Sequence, residues 1–85
     1  MLLTDRAGKL LYHLVRQSEV PEDRCLRLEA TSFGGRLSIG RAQPGDEIVS
    51  FDGERVLTLD AYTAEICVNR LLDFDGARLL FLDRN

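Results

Sequence analysis

Apolar and polar positions repeat with two different periods along this chain. Ala7, Leu10, Leu11, Leu14 and Val15 fall at i, i+3, i+4, i+7 and i+8, which is one helical stripe. Arg6, Lys9, His13 and Arg16 take the opposite side. Thr4 suits the N-cap, and Asp5 puts a carboxylate at the positive end of the helix dipole. Gly8 weakens this helix by about 1 kcal/mol relative to alanine. The helix is expected to stop near Gln17-Ser18, because Val20 precedes Pro21 and is pushed out of α space. Val20 to Arg24 reads as a short polar linker.

Beyond the linker the period becomes two. Leu26, Leu28 and Ala30 alternate with Arg27, Glu29 and Thr31, giving a strand with one apolar and one wet face. Gly34-Gly35 reads as a glycine loop, and Leu37 and Ile39 resume the alternation. Ala42-Gln43-Pro44-Gly45-Asp46 is a turn, since proline suits its second position and glycine the one after it. Glu47–Phe51 and Arg55–Leu59 are strands joined by Asp52-Gly53, a strong hairpin signal. Asp60 caps a short second helix over Ala61 to about Asn69, weakened by the β-branched Thr63, Ile66 and Val68. Leu71–Phe74, Asp75-Gly76 and Ala77–Leu82 form a second hairpin. The order helix, four strands, helix, two strands predicts an α+β class with mostly antiparallel sheets. The long helix lays its stripe on a sheet, since no other apolar surface is large enough.

With 85 residues, one domain over 1–85 is the default, and its core is thin. The net charge of −3 argues against a nucleic-acid surface, which calls for a basic excess. No apolar run approaches the ~20 residues of a membrane helix, and Met1–Asp5 lacks the features of a signal peptide. Cys25 and Cys67 fit no C-x-x-C spacing, so the simplest expectation is reduced thiols in a cytoplasmic protein.

Several short stretches resemble, in order and spacing, the HesB/IscA family of A-type iron–sulfur proteins. Leu3-Thr4-Asp5-Arg6-Ala7 resembles the family's opening L-T-x-x-A, and Cys25-Leu26-Arg27-Leu28 its x-L-R-[VL] strand. Gly34-Gly35 falls at the G-C-S-G loop. Asp46-Glu47-Ile48-Val49, Gly53, Val56 and Asp60 match the strand pair ending in V-x-x-D. Leu72-Asp73-Phe74 matches the [IL]-D-[YF] strand, and Phe81–Asn85 is a variant of F-x-N-P-N. The resemblance implies a HesB/IscA-like β-sandwich with an N-terminal amphipathic helix. It also implies a role in iron–sulfur cluster biogenesis. The family's first cluster ligand, the cysteine of G-C-S-G, corresponds to Gly35, and the other two lie in a C-G-C tail that this sequence does not reach. Glycine has no side chain to bind iron. The resemblance therefore implies a relative without the carrier site, with no cofactor expected unless the likeness extends to function.

The expected function is action through protein contacts, a homodimer among them, at the loop of Phe33, Gly34, Gly35 and Arg36. Phe33 beside two glycines is a candidate aromatic anchor. Cys25 and Cys67 are the only candidates for a relocated metal site, and packing is the usual fate of a free cysteine. His13 has no second ligand at i+3 or i+4. Arg24, Arg27, Arg36 and Arg41 are either a patch for an acidic partner or solvated strand edges. The acids sit where turns and caps use them, and no nucleophile, P-loop or dinucleotide motif occurs, so no enzyme is expected. A second reading comes from Gly45–Val56, which resembles the central hairpin of PDZ domains and implies peptide binding by strand addition. The helical stripe at Ala7–Val15 argues against it, because a PDZ domain opens with a strand.

Overall fold

Thr4 starts the first helix as its sequence suggests. Its hydroxyl accepts the Ala7 N–H at 3.3 Å, and its carbonyl accepts the Gly8 N–H at 2.8 Å. The computed structural model describes residues 1–17, 20–32 and 34–83. The elements run β1 (Leu2–Leu3), α1 (Asp5–Arg16), β2 (Cys25–Thr31), β3 (Gly34–Gly40), β4 (Glu47–Phe51), β5 (Glu54–Leu59), α2 (Ala61–Ile66), β6 (Arg70–Phe74) and β7 (Leu79–Asp83). Every expected helix and strand is present, and the class is α+β. The two-residue β1 carries no periodicity of its own. It exists because Leu2 and Leu3 pair in parallel with Leu71 and Leu72.

The strands join in the order β1-β6-β7-β3-β2-β5-β4. Pairs β2–β3, β3–β7, β4–β5 and β6–β7 are antiparallel, and β1–β6 and β2–β5 are parallel. The sheet curls until its two ends approach: the Met1 amino group, beside β1, lies 3.9 Å from the Glu47 carboxylate in β4. Helix α1 packs into this curl, against β6 and β5 and at both ends of the sheet. Ala7 and Leu11 of its stripe are fully buried with Leu28, Leu57, Leu59 and Leu72, while Leu10, Leu14 and Val15 pack at the margin of that core. Gly8 has a positive use that propensity alone misses. A Cβ there would stand 2.2 Å from Phe51 Cδ1, so the missing side chain is the seat for the ring.

Local departures have local causes. Gly34, Gly35 and Arg36 are not loop residues; they open β3, paired with Thr31, Ala30 and Glu29. The strands reverse between Thr31 and Gly34, which pair directly. Ala30 is exposed and Ile39 is 51% exposed, although both continue the apolar alternation of β2 and β3. The Asp52-Gly53 turn is as expected, with φ of 52° and 78° at its two central residues. The Asp75-Gly76 turn is longer. The Asp75 carboxylate accepts the Ala77 and Arg78 N–H groups at 2.8 and 2.9 Å, which holds four residues in the loop and delays β7 to Leu79. Helix α2 stops at Ile66 rather than near Asn69. The Cys67 carbonyl accepts the Arg70 N–H at 3.0 Å, which turns the chain into β6. No helix among the described residues is long and apolar enough to cross a membrane.

Candidate functional site

The β2–β3 turn is the site the sequence singles out, and the sheet determines what its residues can do. Phe33 lies outside the described residues. Gly34 has φ of +130°, and a Cβ there would lie 2.5 Å from the Leu79 carbonyl oxygen. Only glycine fits that left-handed conformation against a neighbouring backbone. Gly35 pairs with Leu79 across β3–β7. A Cβ on it would point inward, 2.9 Å from Leu28 Cδ1 and 3.5 Å from Leu72 Cδ1 and Leu79 Cβ. Position 35 therefore faces the apolar core, and position 34 faces backbone. Arg36 points outward, 70% exposed, and its guanidinium pairs with Glu29 across the strands. The Thr31 hydroxyl donates to the Gly34 carbonyl at 3.0 Å, which tightens the turn.

Topology brings a second segment to the same end of the sheet. β7 runs antiparallel to β3 from the Gly35–Leu79 pair, so its last residue, Asp83, emerges on the side of the β2–β3 turn. Residues 84 and 85 of the F-x-N-P-N-like ending lie outside the described residues.

The two cysteines are not brought together there. Cys25 starts β2, six residues or about 20 Å of strand from the turn. It is half-buried, and its thiol donates to the Gly40 carbonyl at 3.4 Å. Cys67 is 1% exposed at the C-cap of α2, and burial pushes its thiol above the ordinary value. The described residues contain no group of three or more His, Cys, Asp or Glu side chains placed to hold a metal ion. This donor set does not fit an iron–sulfur cluster.

The arginines are largely committed. Arg27 holds Asp46 through two bonds of 2.6 and 3.3 Å and donates to the Arg41 carbonyl at 3.0 Å. Asp46 also accepts the Gln43 N–H at 2.6 Å, and Arg27, ahead of that bond, holds its carboxyl below the usual range. A Cβ on Gly40 would sit 3.0 Å from Arg27 Cδ, so that glycine makes room for the arginine stem. Arg24 pairs with Asp23, and Arg41 lies 3.9 Å from the same carboxylate. All four arginines form ion pairs, Arg27 and Arg36 on the strands and Arg24 and Arg41 just beyond their ends, rather than a free basic patch.

A second clasp was not legible as such in the sequence. Asp73 is 7% exposed and receives the Thr4 hydroxyl at 2.6 Å, Arg6 Nη2 at 2.6 Å and its neighbour's Phe74 N–H at 2.8 Å. The Thr4 hydroxyl, followed by Arg6, pulls its carboxyl below the ordinary value. The alternation in Leu72-Asp73-Phe74 was the available signal, since it sets Asp73 opposite a core leucine. The cavity of ≈ 640 Å³ between the Pro21–Cys25 segment and β5 was also missed. It forms from segments distant in sequence, and no local pattern announces it.

No family model matches the chain, and no curated protein matches it. Among solved structures, Escherichia coli SufA, described as involved in biosynthesis of iron–sulfur clusters, superposes with a TM-score of 0.67. The match spans 99% of this chain and 83% of SufA at 20% identity. SufA belongs to the HesB/IscA family, so the fold implied by the sequence resemblance is the fold observed.

Proposed function

We propose that this protein works in iron–sulfur cluster biogenesis through protein contacts and holds no cluster of its own. The shared fold with SufA and the resemblance along the chain support the pathway. One observation carries the second half. At the turn where the family places its first thiolate, Gly34 abuts the Leu79 carbonyl and Gly35 faces Leu28 in the core. A ligand facing solvent has no place at either position. The contact surface is the β2–β3 turn with Phe33 and the outward Arg36, beside the exit of β7. The partners are proteins in the cytoplasm, a second copy of this chain among them, and no catalysis is involved.

The test is anaerobic reconstitution with ferrous iron and sulfide, followed by visible absorbance. It is run on the wild type and on a Cys25→Ser/Cys67→Ser double variant. The expected result is no stable chromophore in either protein. A chromophore in the wild type that is lost in the double variant would establish a carrier with relocated ligands and overturn the proposal.

A further inference from the structure

β4 is the end strand of the sheet, and among the described strands the opposite end, β1, is only two residues long. Apart from the ladder to β5, Glu47–Phe51 make no backbone hydrogen bonds among the described residues. In an antiparallel pair every second residue turns its N–H and C=O away from its partner, so one edge of β4 presents unpaired groups. Ile48 on this strand is 47% exposed. It pairs with Thr58, and both line the ≈ 640 Å³ cavity whose floor includes Leu26 and Val56.

The charges carried by this stretch of the chain are of one sign. From Ala42 to Glu54 the chain carries Asp46, Glu47, Asp52 and Glu54 and no base. Asp46 is taken by Arg27. Glu47 and Glu54 stand 3.9 and 4.0 Å from the Met1 amino group and Arg16, and with side chains 48% and 40% exposed neither carboxylate is held tightly. Three acids thus flank the strand, with Arg24 and Arg55 as the bases in the cavity wall. The register shifts between Val49 and Ser50 because the extra residue, Val56, lies on β5, so β4 itself carries no insertion.

We propose that the free edge of β4 is a strand-addition site for an extended peptide segment with an apolar side chain between basic residues. The backbone pairs with β4, the apolar side chain enters the cavity beside Ile48, and the bases meet Glu47, Asp52 and Glu54. Strand addition derives affinity from main-chain hydrogen bonds and specificity from pockets for alternate side chains. This site lies apart from the β2–β3 turn and does not depend on a role in iron–sulfur chemistry.

The test uses isotope-labelled protein titrated with the peptide acetyl-Lys-Thr-Val-Thr-Val-Lys-amide and followed by amide NMR shifts. Saturable shifts at Glu47–Ser50 and Thr58 are expected. N-methylation of the central peptide bonds should weaken binding at least tenfold, and Glu for Lys in the peptide at least threefold. Ile48→Lys should weaken it at least tenfold while leaving the unfolding midpoint unchanged. No saturable shift at millimolar peptide, shifts mapping elsewhere, or equal binding of the N-methylated peptide would overturn the proposal. So would a wild-type dimer that Ile48→Lys converts to monomer, because a second copy would then cover the edge.

Discussion

Gly8→Ala sets helix propensity against packing, and the two predict opposite signs. In an isolated helix the change is worth about 1 kcal/mol in favour of alanine. In this fold the new Cβ would stand 2.2, 2.3 and 2.7 Å from Phe51 Cδ1, Cε1 and Cγ. Carbon atoms in contact prefer about 3.5–4.0 Å, so the ring must move by more than an ångström. Overpacking of this kind costs roughly 1–3 kcal/mol. The ring is half-buried and can swing outward, which places the cost toward the lower part of that range. The net expectation is a loss of about 0–2 kcal/mol. In a Phe51→Ala background the obstacle is gone, and Gly8→Ala should stabilise by about 1 kcal/mol. A double-mutant cycle read by urea unfolding and far-UV circular dichroism measures the coupling, expected near 1–3 kcal/mol. Stabilisation of similar size in both backgrounds would refute the packing of Phe51 on Gly8.

Other consequences can be checked in the same way. Leu11 is fully buried, so Leu11→Ala should cost about 2–5 kcal/mol. Leu11→Asp, which buries an unpaired charge, should abolish the folded dichroism signal. The Asp73 carboxyl is held below its ordinary value, so its contribution is present above the unfolded value of about 4 and lost as pH falls through the lower folded one. Asp73→Asn should therefore lower the melting temperature at pH 7, and its gap to the wild type should narrow below pH ~4. Gly35→Cys should bury its thiol between Leu28 and Leu72 and destabilise by roughly 1–3 kcal/mol. Its reaction with an aromatic disulfide reagent should be slow in the native state and fast in urea, and a fast native reaction would contradict the inward direction of position 35.

The sequence is most legible where one residue's chemistry dictates its place. Thr4 and Asp60 cap their helices as read, Asp60 accepting the Thr63 N–H at 2.7 Å, and Asp52-Gly53 turns its hairpin. Legibility fails where neighbours distant in the chain decide. Gly34-Gly35 looks like a loop because glycine permits loops. Here the pair is strand, and the reason for each glycine lies in Leu79 and Leu28. The Asp75-Gly76 dipeptide carries the same letters as Asp52-Gly53, yet side-chain acceptance of two N–H groups gives it a longer loop. Ile39 follows a clean alternation and still ends half-exposed, because periodicity states which face a residue takes and not whether an element covers it.

The stretches that carry the family resemblance touch one another in the fold. Thr4 of the opening motif donates to Asp73 of the late strand motif, 69 residues away, and Arg27 of the first strand motif holds Asp46 of the next. One clasp ties the start of α1 to β6; the other ties β2 to the turn before β4. In each the carboxylate is the desolvated side, so removing its arginine leaves a largely buried charge without its counter-ion. Such pairs specify how the helix seats in the curl and how the strands register, and they do so whether or not a cluster is present. The motif that carries the family's chemistry is a different one, which the resemblance puts at the β2–β3 turn, where this chain has Gly34 and Gly35. A likeness built on clasps reports the fold, and the chemistry has to be read from the turn.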